Sequence, residues 1–150
     1  MLLQRRYITH FSMMISLLLL VEVGSAQNVI SKLKSNSQTS HFGRALEQAN
    51  LQERLNQSGP FTLFAPSNAV FDKLSSGQKS DRQLLLNHIF TGMATERSLK
   101  AMSEVTCLSG QTLSIVVDNS QRLKVNDVLI VRSNIRADNG VIHIIEGVIK

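Results

Sequence analysis

The chain reads as an α+β domain, and three observations on its 150 residues say so. Apolar residues recur at three- and four-residue spacing through the first half, they alternate from Val105 onward, and a short apolar segment, Thr62 to Ala65, interrupts the helical regime before ending on Pro66. Helices gathered first and strands afterwards point to segregated layers rather than to alternating βαβ units. The length suits one domain with its own core, and 43% hydrophobic against 18% charged residues is a globular mixture. Tryptophan is absent, so Leu, Ile and Val must fill most of the interior.

Residues 1–26 read as a secretory signal peptide: Arg5 and Arg6 give a basic start, Met13 to Val21 an apolar run, and Gly24-Ser25-Ala26 a small-residue cleavage site. An uncleaved anchor competes with this reading, but the run is shorter than the roughly 20 residues a spanning helix needs. Without Arg5, Arg6 and Glu22 the chain keeps 14 basic and 10 acidic residues, a net charge of +4. That excess is too mild and too scattered for a nucleic-acid binder.

The domain is expected over residues 28–150. Asn28 to Leu33 sets Val29, Ile30 and Leu33 on one side of a short helix, and Ser35 to Ser40 follows as a polar loop. Phe42, Ala45, Leu46 and Ala49 mark the best amphipathic helix, with Asn50 at its end and one further turn around Leu51 and Leu55 before Gly59-Pro60 bends the chain. After the strand at Thr62 to Ala65, Ser67 or Asn68 can cap a helix bearing Phe71 and Leu74 on one face. Ser75 to Lys79 reads as a loop. Ser80 and Gln83 fit a capping box for a helix carrying Leu84, Leu85, His88 and Ile89, which Gly92 would stop. Thr95 can cap another, carrying Leu99 and Met102.

The β half follows. Leu113, Ile115 and Val117 alternate with Ser114 and Val116; turns are expected at Asp118-Asn119 and Asn126-Asp127, with a strand around Leu123 and Val125 between them. Val128 to Val131 is continuously apolar, as in a strand buried on both faces. Asp138-Asn139-Gly140 is a hairpin signal resting on positive φ at Asn-Gly, and Val141 to Ile145 is the returning strand.

Nothing in the chain assembles a catalytic set. His41, His88 and His143 fall in three different elements without metal-ligand spacing, and the Ser-x-x-Lys matches at Ser31 and Ser76 lack the companion segments of that nucleophile class. No Gly-rich phosphate loop is present. The expectation is a protein that is not an enzyme and takes neither metal nor cofactor. Cys107 is the lone cysteine, expected to be partly buried and inert rather than paired with another chain. Asn56-Gln57-Ser58 is a glycosylation sequon in a polar turn.

Four segments in order resemble the fasciclin domain family. Thr62-Leu63-Phe64-Ala65-Pro66-Ser67-Asn68 with Phe71 resembles its first signature, and Asn139-Gly140-Val141-Ile142-His143-Ile144-Ile145-Glu146-Gly147-Val148-Ile149 its terminal one. Between them, Leu84 to His88 resembles the helix that ends in Tyr-His, and Leu108-Ser109-Gly110-Gln111-Thr112-Leu113 the Leu-x-Gly-x-x-Leu start of a strand. The resemblance implies a fold of two β-sheets forming a wedge with helices packed against them. It further implies a secreted, extracellular binding module for cell adhesion or extracellular matrix association; the alternative is a secreted structural protein that associates with itself.

The resemblance also carries two adhesion-linked positions. Asn87-His88 stands in the place of Tyr-His, and Asn134-Ile135 in the place of an Asp-Ile pair. With the tyrosine missing and the carboxylate replaced by an amide, which binds cations less readily, contact with an integrin is expected to be weak or absent. His88, sharing an apolar face with Leu84 and Leu85, is expected to be a hydrogen-bonded core histidine. Arg122 with Lys124, and Arg132 with Arg136, form two basic strand faces that read first as solvated surface, with contact to sulfated glycans as the alternative. Thr62 and Asn68 are expected to fix the first signature turn through hydrogen bonds, with Phe64 and Phe71 anchoring the core.

Overall fold

A computed structural model describes residues 27–57 and 59–150. The signal peptide expected at 1–26 and the sequon's Ser58 lie outside the described residues. Three helices open the domain: α1 (Val29–Ser35), α2 (Ser40–Gln48) and α3 (Gln52–Leu55). Then come β1 (Phe61–Pro66), α4 (Asn68–Phe71), α5 (Ser76–Lys79), α6 (Arg82–Leu86), β2 (Ile89–Thr91) and α7 (Glu96–Lys100). The rest is strand: β3 (Glu104–Thr106), β4 (Thr112–Val117), β5 (Leu123–Val125), β6 (Val128–Ala137) and β7 (Gly140–Ile145). Val29, Ile30 and Leu33 are buried from α1, and Phe42, Ala45 and Leu46 from α2, as their spacing requires. Asn50 ends the α2 region at φ 57°, a left-handed conformation that asparagine tolerates.

The strands form one mixed sheet in the order β2-β1-β7-β6-β5-β4-β3. Its two edges meet, because Leu108 N donates to Ile89 O at 2.8 Å and Phe90 bridges Cys107. Register shifts in β6, between Ile130 and Arg132 and between Arg132 and Ile135, divide the sheet into two lobes that share this strand. These lobes are the two splayed sheets of the expected wedge. One apolar cluster joins α1, α2 and α3 to Leu63, Phe71, Leu85 and Ile142; the other joins Phe64 to Leu99, Leu113, Val125, Ile145 and Ile149. β1 lies between the two clusters and is buried at every position.

Several local expectations give way. Ser75 to Lys79 is a helix start, not a loop: the capping box is Ser75 with Gln78, one turn earlier than Ser80 with Gln83. Asp81 instead caps α6, accepting from Gln83 N and Leu84 N. α6 stops at Leu86, so Ile89 belongs to β2 and Gly92, at φ 139°, follows that strand rather than the helix. α4 is a single turn ending at Phe71, which leaves Leu74 beyond it, and Met102 is exposed past the end of α7. The segment Val128 to Val131 is not buried on both faces: Val128, Leu129 and Ile130 are half-buried and Val131 is 51% exposed. A continuous apolar run marks two-sided burial only when both faces are covered, and along β6 no residue is fully buried.

Candidate functional site

The first and last signatures, far apart in the chain, lie side by side. β1 and β7 pair in parallel from Phe61 against Gly140 to Pro66 against Ile145. Pro66, with no N–H, occupies the final ladder position, and Ser67 N takes over the bond to Ile145 O at 3.2 Å. Ser67 then caps α4 by accepting from Val70 N. Asn68 stitches the turn to the start of α2: its Oδ1 accepts from His41 N at 3.0 Å, and its Nδ2 donates to Ser37 O at 2.9 Å. Thr62, fully buried, donates to Gly92 O at 2.6 Å and accepts from Ala94 N at 2.9 Å. Asn68 thus fixes the signature turn, as expected, whereas Thr62, expected to do the same, instead ties the start of β1 to the backbone just after β2.

Asn139 is the knot of the terminal signature. Its carbonyl accepts from Phe61 N at 2.9 Å, its Oδ1 accepts from Val29 N at 2.9 Å, and its Nδ2 donates to Leu55 O at 2.6 Å. One side chain therefore satisfies an orphan amide of α1 and an orphan carbonyl of α3. Gly140 is required for a reason other than positive φ: a Cβ there would sit 2.1 Å from Phe61 O and 2.9 Å from Val29 Cγ1. The left-handed pair expected at Asn-Gly is found instead at Asn126 and Asp127, with φ 46° and 62°, as a two-residue hairpin between β5 and β6 requires.

Of the two adhesion-linked positions, Asn87 and His88 are inside the domain, 7% and 1% exposed. His88 Nε2 accepts from Ile149 N at 3.1 Å, so Nδ1 carries the proton and donates to Leu84 O at 2.9 Å. Asn87 Nδ2 donates to Ile149 O at 3.3 Å. The pair therefore clamps both backbone groups of Ile149. Burial pushes the His88 pKa down to about 4, against the weaker upward pull of its bond to Leu84, which keeps the ring neutral. His143, fully buried, accepts from Asn134 N through Nδ1 at 3.3 Å and donates from Nε2 to Ala94 O at 2.7 Å; burial lowers its pKa too. Cys107 is buried, and burial pushes its thiol up to about 12, which holds it as an inert thiol. His41 stays near the surface, 2.7 Å from Asp72.

Asn134 and Ile135 lie on β6, exposed and half-buried respectively. Asn134 takes φ 60° at the bulge, and its Oδ1 accepts from Glu96 N at 2.9 Å, the first residue of α7. Ser133 donates to Glu96 Oε2 at 2.6 Å and Lys100 reaches Oε1 at 3.0 Å; these bonds, Ser133's foremost, hold the Glu96 carboxyl below its ordinary range. No sequence signal foretold this bulge cluster beyond the Asn itself.

The four arginine and lysine positions separate into two groups. Arg122 precedes β5 instead of sharing its face with Lys124, and both turn to Asp118, at 2.9 and 4.0 Å. Arg132 and Arg136 are exposed on β6, and among the described residues neither is within ion-pair distance of a carboxylate. Two clefts flank that strand. One, of about 430 Å³, is lined by Glu96, Arg122, Leu129, Val131, Arg132 and Ser133 among others. The other, of about 570 Å³, lies between α1 and β6 and is lined by Lys32, Asn36, Arg132, Ser133, Asn134 and Arg136 among others. Asn56 is exposed, its Oδ1 accepting from Asn28 Nδ2 at 2.5 Å.

What fold and surface define is an α+β module with its histidine clamps and thiol inside and polar, open clefts outside. The chain belongs to the fasciclin domain family: the Fasciclin domain pattern matches residues 37–150. It is 32% identical over 135 residues to Protein sll1483 of Synechocystis sp., covering 83% of this chain and 74% of that one. It is 29% identical over 130 residues to the transforming growth factor-beta-induced protein ig-h3 of Sus scrofa, covering 81% of this chain but 19% of that one. Among solved structures it is similar to a FAS1 domain pair from the insect cell adhesion molecule Fasciclin I, with a TM-score of 0.69 and 19% identity over 83% of this chain and 51% of that one. That likeness shows the fold. Among the described residues no helix is long and apolar enough to cross a membrane.

Proposed function

We propose that this chain is a secreted, extracellular binding module that associates with matrix or cell surfaces and presents β6 as its recognition strand. The observation that carries this reading is the exposed edge of side chains along the bulged β6, where Val131, Arg132, Asn134 and Arg136 are exposed between two clefts while every residue of neighbouring β7 is buried. A strand with exposed polar side chains and flanking concavities suits recognition of an extended partner. Family membership supports the reading, as does the description of the fold's solved relative as a cell adhesion molecule.

Cation-dependent integrin contact plays little part. Asn134 has no carboxylate to offer a metal ion, and its amide oxygen already accepts from Glu96 N. Cells secreting the full chain test the proposal: fractionation should recover it from the medium and the insoluble matrix, and attachment to it should persist under chelation of divalent cations. Recovery from the cytosol alone overturns the proposal.

A second reading, self-association without a dedicated receptor, is favoured by Val116 and Val131, 47% and 51% exposed on β4 and β6. A strict monomer in sedimentation over a wide concentration range removes it.

A further inference from the structure

We propose that the cleft between α1 and the bulged part of β6 binds a sulfated glycan chain, with Lys32, Arg132 and Arg136 as the cations that meet its sulfates. This inference deepens the binding-module reading and rests on it. It also redraws the basic surface that the sequence suggested, since Lys32 enters and Arg122 and Lys124 leave.

Charge complementarity carries the argument. The cleft is lined by three cations and by no aspartate or glutamate, and among the described residues none of the three is within 4 Å of a carboxylate. Elsewhere the cations near acids are already engaged: Lys34 with Glu47, Lys100 with Glu96, and Arg122 and Lys124 with Asp118. Glu96, which accepts from the cleft's lining residue Ser133, is also engaged by Lys100. A guanidinium without an internal carboxylate partner is ready to form a charge-assisted, bidentate bond with an incoming anion.

Shape and chemistry narrow the anion. Arg132 and Arg136 stand four residues apart on an extended strand, roughly 13 Å at most before the bulge shortens it, and Lys32 reaches the same cleft from α1. That span suits a ligand with repeated charges better than a single inorganic ion. Two polar residues also line the cleft: Asn36 accepts from Gln38 N with its Oδ1, leaving its amide N–H groups as donors, and Ser35, whose hydroxyl donates to Lys32 O at 3.1 Å, keeps its oxygen as an acceptor. Such groups match sugar hydroxyls. Among the described residues no aromatic side chain lines the cleft for base stacking, which disfavours single-stranded nucleic acid. Ile135, half-buried, is its sole apolar lining residue, which disfavours insertion into a lipid surface. The volume of about 570 Å³ falls within the size of ordinary ligand sites.

The test compares two double variants that remove the same charge. Immobilised heparin is the probe. The wild-type chain is expected to stay bound at physiological salt, Arg132→Gln with Arg136→Gln to weaken binding on the order of tenfold or more, and Arg122→Gln with Lys124→Gln to change it less than about twofold. Lys32→Gln alone should fall between them. Thermal melting of each variant checks folding; all five positions are exposed or half-buried, so the melting temperatures should match the wild type. Elution of the wild type at or below physiological salt overturns the proposal. So does equal loss in both double variants, which would mean diffuse attraction, or equal competition by desulfated heparin, an anionic vesicle or an oligonucleotide. Matrix retention that survives heparinase would overturn the glycan site while leaving the binding-module reading in place. Absence from every extracellular fraction would overturn that reading itself.

Discussion

β7 and β6 are neighbours in one sheet, yet they are built on opposite terms. In β7 every residue from Gly140 to Ile145 is buried, and His143 finds partners for both ring nitrogens. In β6 no residue is fully buried, half-buried and exposed residues alternate from Arg132 onward, the ladder slips twice, and two arginines project without a carboxylate partner among the described residues. The contrast separates two uses of polar groups. Along β7 and its parallel partner β1, polar side chains are consumed in holding the fold, where an unsatisfied group would cost about 1–3 kcal/mol. Along β6 Ser133 and Asn134 are engaged with Glu96, but Arg132 and Arg136 remain available to something outside.

Four changes sharpen or break this contrast. The largest effect is expected at Gly140. Gly140→Ala places a methyl against the backbone carbonyl of Phe61, which cannot swing aside as a side chain could, so a loss of about 3 kcal/mol or more is predicted. Urea unfolding of the purified variant, or its failure to be secreted, checks this; a wild-type midpoint would mean the β1–β7 seam is looser than described. Asn139→Ala removes the bonds to Val29 N and Leu55 O, along with a weaker one to Gln57 O. At roughly 1 kcal/mol each it should cost about 2–3 kcal/mol in the same assay.

Acid is the next lever, and its sign follows from the direction of the shift. His88 is lowered from 6.5 to about 4 in the folded domain, so between those values the unfolded chain binds a proton that the folded one refuses. Its contribution is complete above pH 6.5 and is lost as pH falls toward 4, roughly 3 kcal/mol in all. His143 acts in the same direction. Unfolding midpoints measured from pH 7 to pH 4 should fall, and His88→Gln should flatten the slope; an unchanged slope would mean that the clamp on Ile149 does not depend on a neutral ring. The smallest effect is expected on the other strand: Arg132→Gln should shift stability by less than about 0.5 kcal/mol while weakening binding.

How much of this was legible in the sequence follows the same division. The opening signature could be read almost residue by residue, because Pro66, the cap at Ser67 and the apolar spacing of Leu63, Phe64 and Phe71 are local instructions. The buried role of His88 was legible from its apolar neighbours, although its clamp on Ile149 depends on a contact 61 residues away. Asn139-Gly140 looked like a turn of positive φ, yet its function is close approach to Phe61, which only the parallel pairing creates. Val128 to Val131 misled because an apolar run says nothing about whether its second face is covered. For the cationic cleft, Arg132 and Arg136 were visible as a pair, but Lys32 comes from a helix about a hundred residues earlier and the engagement of Arg122 and Lys124 by Asp118 had no periodic signature.

The division between a strand that holds the fold and a strand that meets a partner is tested most directly by one variant measured in two ways. Lys32→Gln, Arg132→Gln and Arg136→Gln combined in the full chain should leave the melting temperature within about 2 °C of wild type, while the purified protein loses its retention on extracellular matrix. A folded triple variant retained as strongly as wild type would contradict the account, and so would one whose melting temperature falls as far as that of Asn139→Ala.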